Sequence, residues 1–222
     1  MSQVIYACDI GSVKSGAFAW ARITPDEQKP ETSREIEELL PRIEADARQG
    51  RHIALGFESP LFMPIPENSS DLSQGRENEG ARSMFAPAGG YVTTLGLHEM
   101  AWILGKLQER CGHLLTYTLE SSEWQSSQPT PVLFLWEAFV SEGAHGETHE
   151  QDAISAAEEF RKVFQKVPAT EVPASKVKSR DAQATLSLAH VAALWSGWAT
   201  DHDRLTCEAL VIKPEKPNHL SD

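Results

Sequence analysis

The first apolar run, Val4–Cys8, is five residues long and stops at one aspartate, Asp9. A second run begins at Ala17. The connection GSVKSG between them carries Gly11 and Gly16 where a tight turn needs permissive backbone. This pattern predicts two strands, at 3–9 and 16–24. A polar, proline-bearing loop follows at 25–32, and no third strand is legible between Thr24 and Ser33. Thr32 and Glu35 have capping-box spacing, and Ile36, Leu39, Leu40, Ile43 and Ala47 recur at helical period. Pro41 inside that pattern predicts a kink or a split, and Gly50 closes the helix.

HIALGFESP (52–60) reads as a short buried strand ending at Glu58, with Pro60 stopping it. Residues 61–94 are rich in Pro, Gly, Ser and Asn and show no period, which predicts a long loop of the kind that usually carries function. Leu97, Met100, Ala101, Leu104 and Leu107 mark a helix that stops at Gly112. Strands are expected at 113–120 and 132–142, with SSEWQSSQPTP as a loop between them. A helix is expected from about 148 to 167. After the linker PATEVPASKVKSR come a third long helix near 181–199 and a last strand at 205–214. The order is that of an α/β protein with a mixed sheet.

At 222 residues and 41% hydrophobic content the chain fits one domain with a sizeable core. The expected division is a single domain over 1–222, with the long loop at 61–94 and a C-terminal extension from about 168. No stretch approaches 18 consecutive apolar residues, so no membrane partner is expected. The N-terminus reads as a strand rather than a secretory signal. Cys8, Cys111 and Cys207 fit neither a disulfide frame nor a zinc pattern, and a reducing cytoplasm is the expected setting. A net charge of −12 argues against a broad electrostatic grip on nucleic acid, so any basic path has to be assembled from a few side chains. SKVKSR (175–180) is the one basic cluster and reads better as linker charge.

Against this background the acidic residues at strand ends stand out. Asp9 ends the first strand and Glu58 the strand after the first helix. Glu137 lies in a later strand, and Asp152 in the first turn of the next helix with His149 one turn before it. A carboxylate among apolar neighbours is costly unless it is paired, protonated or bound to metal. Hard divalent cations such as Mg²⁺ or Mn²⁺ take oxygen ligands, and two of them about 3.5–4 Å apart can clamp both oxygens of a phosphodiester displacement. Asp152 by itself suits a helix N-terminus, and Glu58 by itself suits a backbone-bonded strand end. The ordered set is what suggests a site.

That order resembles the ribonuclease H superfamily, in particular its RuvC resolvase-like branch and related bacterial proteins. The hairpin CDIGSVKSGAFAW, the strand end ALGFESPL and the helix start HEQDA (149–153) carry the likeness, with LWEAFV supplying a Glu on the later strand. The resemblance covers residues 3–160. It implies an RNase H-like mixed sheet flanked by helices, with an additional C-terminal helix and strand. It implies a metal-dependent nuclease in which Asp9, Glu58, Asp152 and Glu137 hold Mg²⁺ or Mn²⁺, and His149 acts as a ligand or proton-transfer group. The substrate would be nucleic acid or another phosphodiester. RuvC-type resolvases are dimers, so a homodimer is a further implication. Asp181, in RDAQATLSLAH, is the rival of Asp152 for the late ligand. Lys14, Arg76 and Arg82 are candidate contacts to substrate phosphate, with solvated loop charge as the plainer reading of each. Two other functions compete. One is a non-catalytic binding or scaffold domain on the same fold. The other is an actin-like metabolite kinase, suggested by DIGSVKSG but lacking a duplicated domain and a second glycine-rich loop.

Overall fold

The computed structural model describes residues 2–214 apart from 25–26, 28, 81–82, 127–128, 141–144, 169–170 and 181–183. Its centre is β1 (Gln3–Asp9), which pairs antiparallel with β2 (Ala19–Ile23) and parallel with β4 (His52–Phe57). The sheet extends outward on one side to β3 (Glu31–Ser33) and on the other to β7 (Val132–Ala138) and β6 (Thr116–Thr118). A two-residue strand, β9 (Val211–Ile212), lies along the far half of β7, beyond the stretch that β6 occupies. The result is a mixed seven-stranded α/β sheet flanked by helices, consistent with an RNase H-like fold.

Alternation along β1 explains how the sheet is covered. Val4, Tyr6 and Cys8 face one layer, with α1 (Ile36–Arg48) and α2 (Pro87–Cys111). Ile5 and Ala7 face the other, with α4 (His149–Lys166). Both faces of β1 are therefore dry, and its near-continuous apolar sequence follows from that. Gly11 is needed at the turn out of β1, because a Cβ there would lie 2.1 Å from the Ala17 carbonyl oxygen.

Several expectations are revised. The third strand of the opening meander exists as β3, at the edge of the stretch where none was legible. The five periodic residues of α1 are all buried, yet Pro41 neither splits nor ends the helix. Pro41 is exposed, off the buried stripe of the helix. The stretch 61–94 is more ordered than its composition suggests. β5 (Phe62–Ile65) pairs with β8 (Ala184–Ser187), Glu77 bridges Lys178, and α2 starts at Pro87 rather than near Leu97. Proline at the first helical position is pre-organised for a helix start. Gly89, which weakens the helical pattern, is there because Ser83 O lies where its Cβ would be.

SSEWQ forms a short helix, α3 (Ser121–Gln125), instead of a loop. The long helix expected at 181–199 is β8 followed by α5 (Leu188–Trp195), whose start is capped by Ser187 Oγ accepting from the His190 N–H. The last strand shrinks to β9. Among the described residues no helix is long and apolar enough to cross a membrane.

Candidate active site

The parallel register of β1 and β4 sets Cys8 beside Phe57, and Glu58 N–H donates to the Cys8 carbonyl (2.8 Å). The next residues along, Asp9 and Glu58, are thereby neighbours. Both follow the alternation that faces α4, since Ala7 and Ala54 pack in that layer. The Glu58 carboxyl lies close enough to Asp9 to lower its pKa. From the first turn of α4, His149 Nδ1 reaches Asp9 Oδ2 at 2.6 Å. The helix is set there by Thr148, whose hydroxyl accepts from Gln151 N–H.

Asp9 is 7% exposed. Burial pushes its pKa up. The bonds to His149 and Glu58 pull it down, and the nearby charge of Asp152 pushes it up again. Two neighbouring carboxyls repel unless a proton or a positive charge lies close to them. With Nδ1 engaged by Asp9, Nε2 is the ring nitrogen of His149 left for exchange, and the side chain is 44% exposed.

Asp152 lies near this group but has other partners. Its Oδ1 accepts from Gly146 N–H (2.6 Å), and its Oδ2 pairs with His145 Nδ1 at 3.0 Å. It fixes the segment leading into α4. Sequence reasoning missed His145, and no pattern around it marks it out.

Two sequence expectations fail. Glu137 pairs in register with Phe57, one residue short of Glu58, so its side chain takes the face of Leu133 and Leu135, opposite the acidic pair. There it is fully buried and accepts two hydrogen bonds from Arg76, at 2.7 Å each, and one from Leu61 N–H. Glu137 is therefore not a partner of Asp9 for metal. Arg76, expected to reach substrate phosphate, is 2% exposed. It is held between Glu137 and Glu79, with its guanidinium over the Phe62 ring. Glu79 in turn accepts from Arg76 N–H and Met84 N–H. This network holds Arg76, Glu79 and Met84 together. Lys14 is exposed on the one-turn helix Val13–Ser15, directly beyond the acidic pair. Arg82 and Asp181 lie outside the described residues.

Glu99 of α2 was not anticipated. It is 7% exposed, and its Oε2 is buried with no hydrogen-bond partner. Burial and the neighbouring Asp9 push its pKa up to about 7. The sequence did hold a signal, since Glu99 falls on the buried stripe of Gly96, Met100 and Ile103.

The donor chemistry suits a hard divalent cation, which would relieve both the buried charge of Asp9 and its contact with Glu58. Among the described residues, however, no three His, Cys, Asp or Glu side chains converge as a closed metal site. A cation held by Asp9 and Glu58 would take its remaining ligands from water and substrate, as Mg²⁺ commonly does. Beside Glu58 a cleft of about 460 Å³ opens between the ends of β4 and β7 and the start of α2, walled by Ser59, Ala88, Gly89, Val92 and Phe139. Comparison with known protein families, curated sequences and solved structures yields no match.

Two outcomes follow. Arg76→Met leaves two buried carboxylates unpaired and lowers unfolding free energy in urea by about 3–5 kcal/mol; a phosphate-contacting surface arginine would leave it unchanged. For Glu99, a folded pKa raised from 4.5 to about 7 means that the folded state binds the proton more tightly than the unfolded chain. Its contribution to stability is therefore present below pH 4.5 and lost as pH rises towards 7. Glu99→Gln removes that decline, so the gap between variant and wild type in urea unfolding widens in the variant's favour from pH 5 to pH 8.

Proposed function

We propose that this protein is a metal-dependent phosphodiesterase, a nuclease of RNase H-like architecture acting on nucleic acid or a related phosphodiester. The observation that carries this reading is the pair of neighbouring carboxyls, Asp9 and Glu58, at the end of parallel strands, with Asp9 bonded to an exposed histidine. Purely structural carboxylates have no need of that arrangement, because mutual repulsion and burial both raise its cost.

Asp9 and Glu58 are the residues that would hold Mg²⁺ or Mn²⁺. Bound there, such an ion supplies charge neutralisation for the phosphate and a more acidic water. His149 is oriented by its bond to Asp9, which leaves Nε2 to accept or return a proton at the reacting oxygen. Asp152 acts one step removed, fixing the loop before α4 and adding negative charge near Asp9. Lys14 stands on the turn beyond Asp9, in reach of a phosphate tail. The three free cysteines suit a reducing, cytoplasmic setting.

The capture of Asp152 by Gly146 and His145 favours a second reading, a binding domain that keeps the fold without catalysis. Incubation with labelled single-stranded, duplex and branched DNA and RNA in Mn²⁺ separates the two. The nuclease reading expects cleavage that Asp9→Asn lowers by roughly 10²–10³-fold, the scale of losing one essential electrostatic contact. It also expects a pH–rate profile that His149→Ala flattens. Binding without cleavage of any substrate supports the second reading and contradicts the first.

A further inference from the structure

On the α2 side of the turn that leaves β1, a second cleft of about 400 Å³ is lined by Ser12, Val13, Tyr91, Leu95, Glu99 and Trp102. Three features are unusual together. Tyr91 is 62% exposed, a large ring facing solvent on a long, ordered helix. Glu99 is nearly buried, and Oε2 makes no hydrogen bond. Buried polar atoms in folded proteins are almost always partnered, so an orphaned oxygen on a carboxyl that lines a cleft points to a missing donor, one that a ligand reaching the Glu99 carboxyl can supply. Finally, Ser12 and Val13 lie three and four residues beyond Asp9, so the cleft and the acidic pair share one turn.

We propose that this cleft is a nucleobase pocket, in which Tyr91 stacks on a base of single-stranded nucleic acid and Glu99 accepts a hydrogen bond from its amino group. The choice of nucleic acid rests on the phosphodiesterase reading. The recognition chemistry comes from the cleft. The ionisable side chains lining it are Glu37, His98 and Glu99, with no lysine or arginine among them, so the neutral, planar end of a nucleotide rather than its phosphate is the part that enters. Every base has a π-face for an exposed tyrosine. Adenine, cytosine and guanine carry an exocyclic amino donor for the carboxyl, whereas thymine offers only its ring N3–H, flanked by two carbonyl oxygens that the carboxyl repels, so thymine is disfavoured. Lys14, on the same turn, is placed for the phosphate that links a base here to the acidic pair.

The test is direct binding of fluorescein-labelled dA, dC and dT hexamers in EDTA, where cleavage plays no part. Wild type is expected to prefer dA and dC over dT. Glu99→Met, which removes the acceptor but keeps the volume, is expected to abolish the preference, while Glu99→Gln, which retains one acceptor oxygen, preserves it. Tyr91→Ala, on the surface and harmless to folding, is expected to weaken all three at least about fivefold. The proposal is overturned if wild type binds no hexamer or shows no preference, if Glu99→Met keeps the preference, or if Tyr91→Ala binds like wild type. A protein that cleaves nothing in Mn²⁺ yet loses its base preference in Glu99→Met disproves the catalytic reading alone. One that cleaves but binds unchanged in both variants disproves this pocket alone.

Discussion

The in-register parallel pairing of β1 with β4 is the constraint on which the rest of the molecule depends. It makes Asp9 and Glu58 neighbours at the end of two strands that are apolar and buried beyond their first residues, Gln3 and His52. Because side chains alternate, it also turns both carboxyls to the same layer, the one covered by α4. The helix then needs only its first residue, His149, to complete the contact. Two strands and one helix start thus bring Asp9, Glu58 and His149 together at the sheet end. Everything proposed about cation and phosphate follows from that grouping.

The same alternation explains the buried ion network on the other face. Glu137 is one position out of phase with Glu58, so the strand that would have added a third carboxylate sends it through the sheet instead. A buried carboxylate charge is costly unless it is paired, and Arg76 from a distant segment meets this one. The consequence is structural order. Arg76 is pinned against β7 and the start of β5, Glu79 and Met84 are tied to it, and α2 begins close behind Met84. That helix in turn brings Glu99 and Tyr91 up to the turn after Asp9.

How much of this the sequence reveals depends on the range of the interaction. Asp9 and Glu58 were legible because a carboxylate at the end of a five- or six-residue apolar run is a local pattern, and His149 because it opens an amphipathic helix. Glu137 looked equivalent, since position along a strand is visible in sequence but the face it takes depends on register with another strand. Arg76 was misread for a similar reason. Its partner lies 61 residues away, and nothing local distinguishes a loop arginine that will be buried. Glu99 was hidden by its position on an apolar helical stripe, where a single Glu passes for a boundary residue. The order within 61–94 depends on pairing with β8, far along the chain, so glycine and proline content alone suggested a loop.

The most direct measurement is Mn²⁺ binding by calorimetry, with and without a phosphorothioate dinucleotide, on wild type and Asp9→Asn. The account predicts saturable uptake by wild type, tightened by the dinucleotide and lost in the variant. Uptake by Asp9→Asn equal to that of wild type, or none by wild type in either condition, would contradict it.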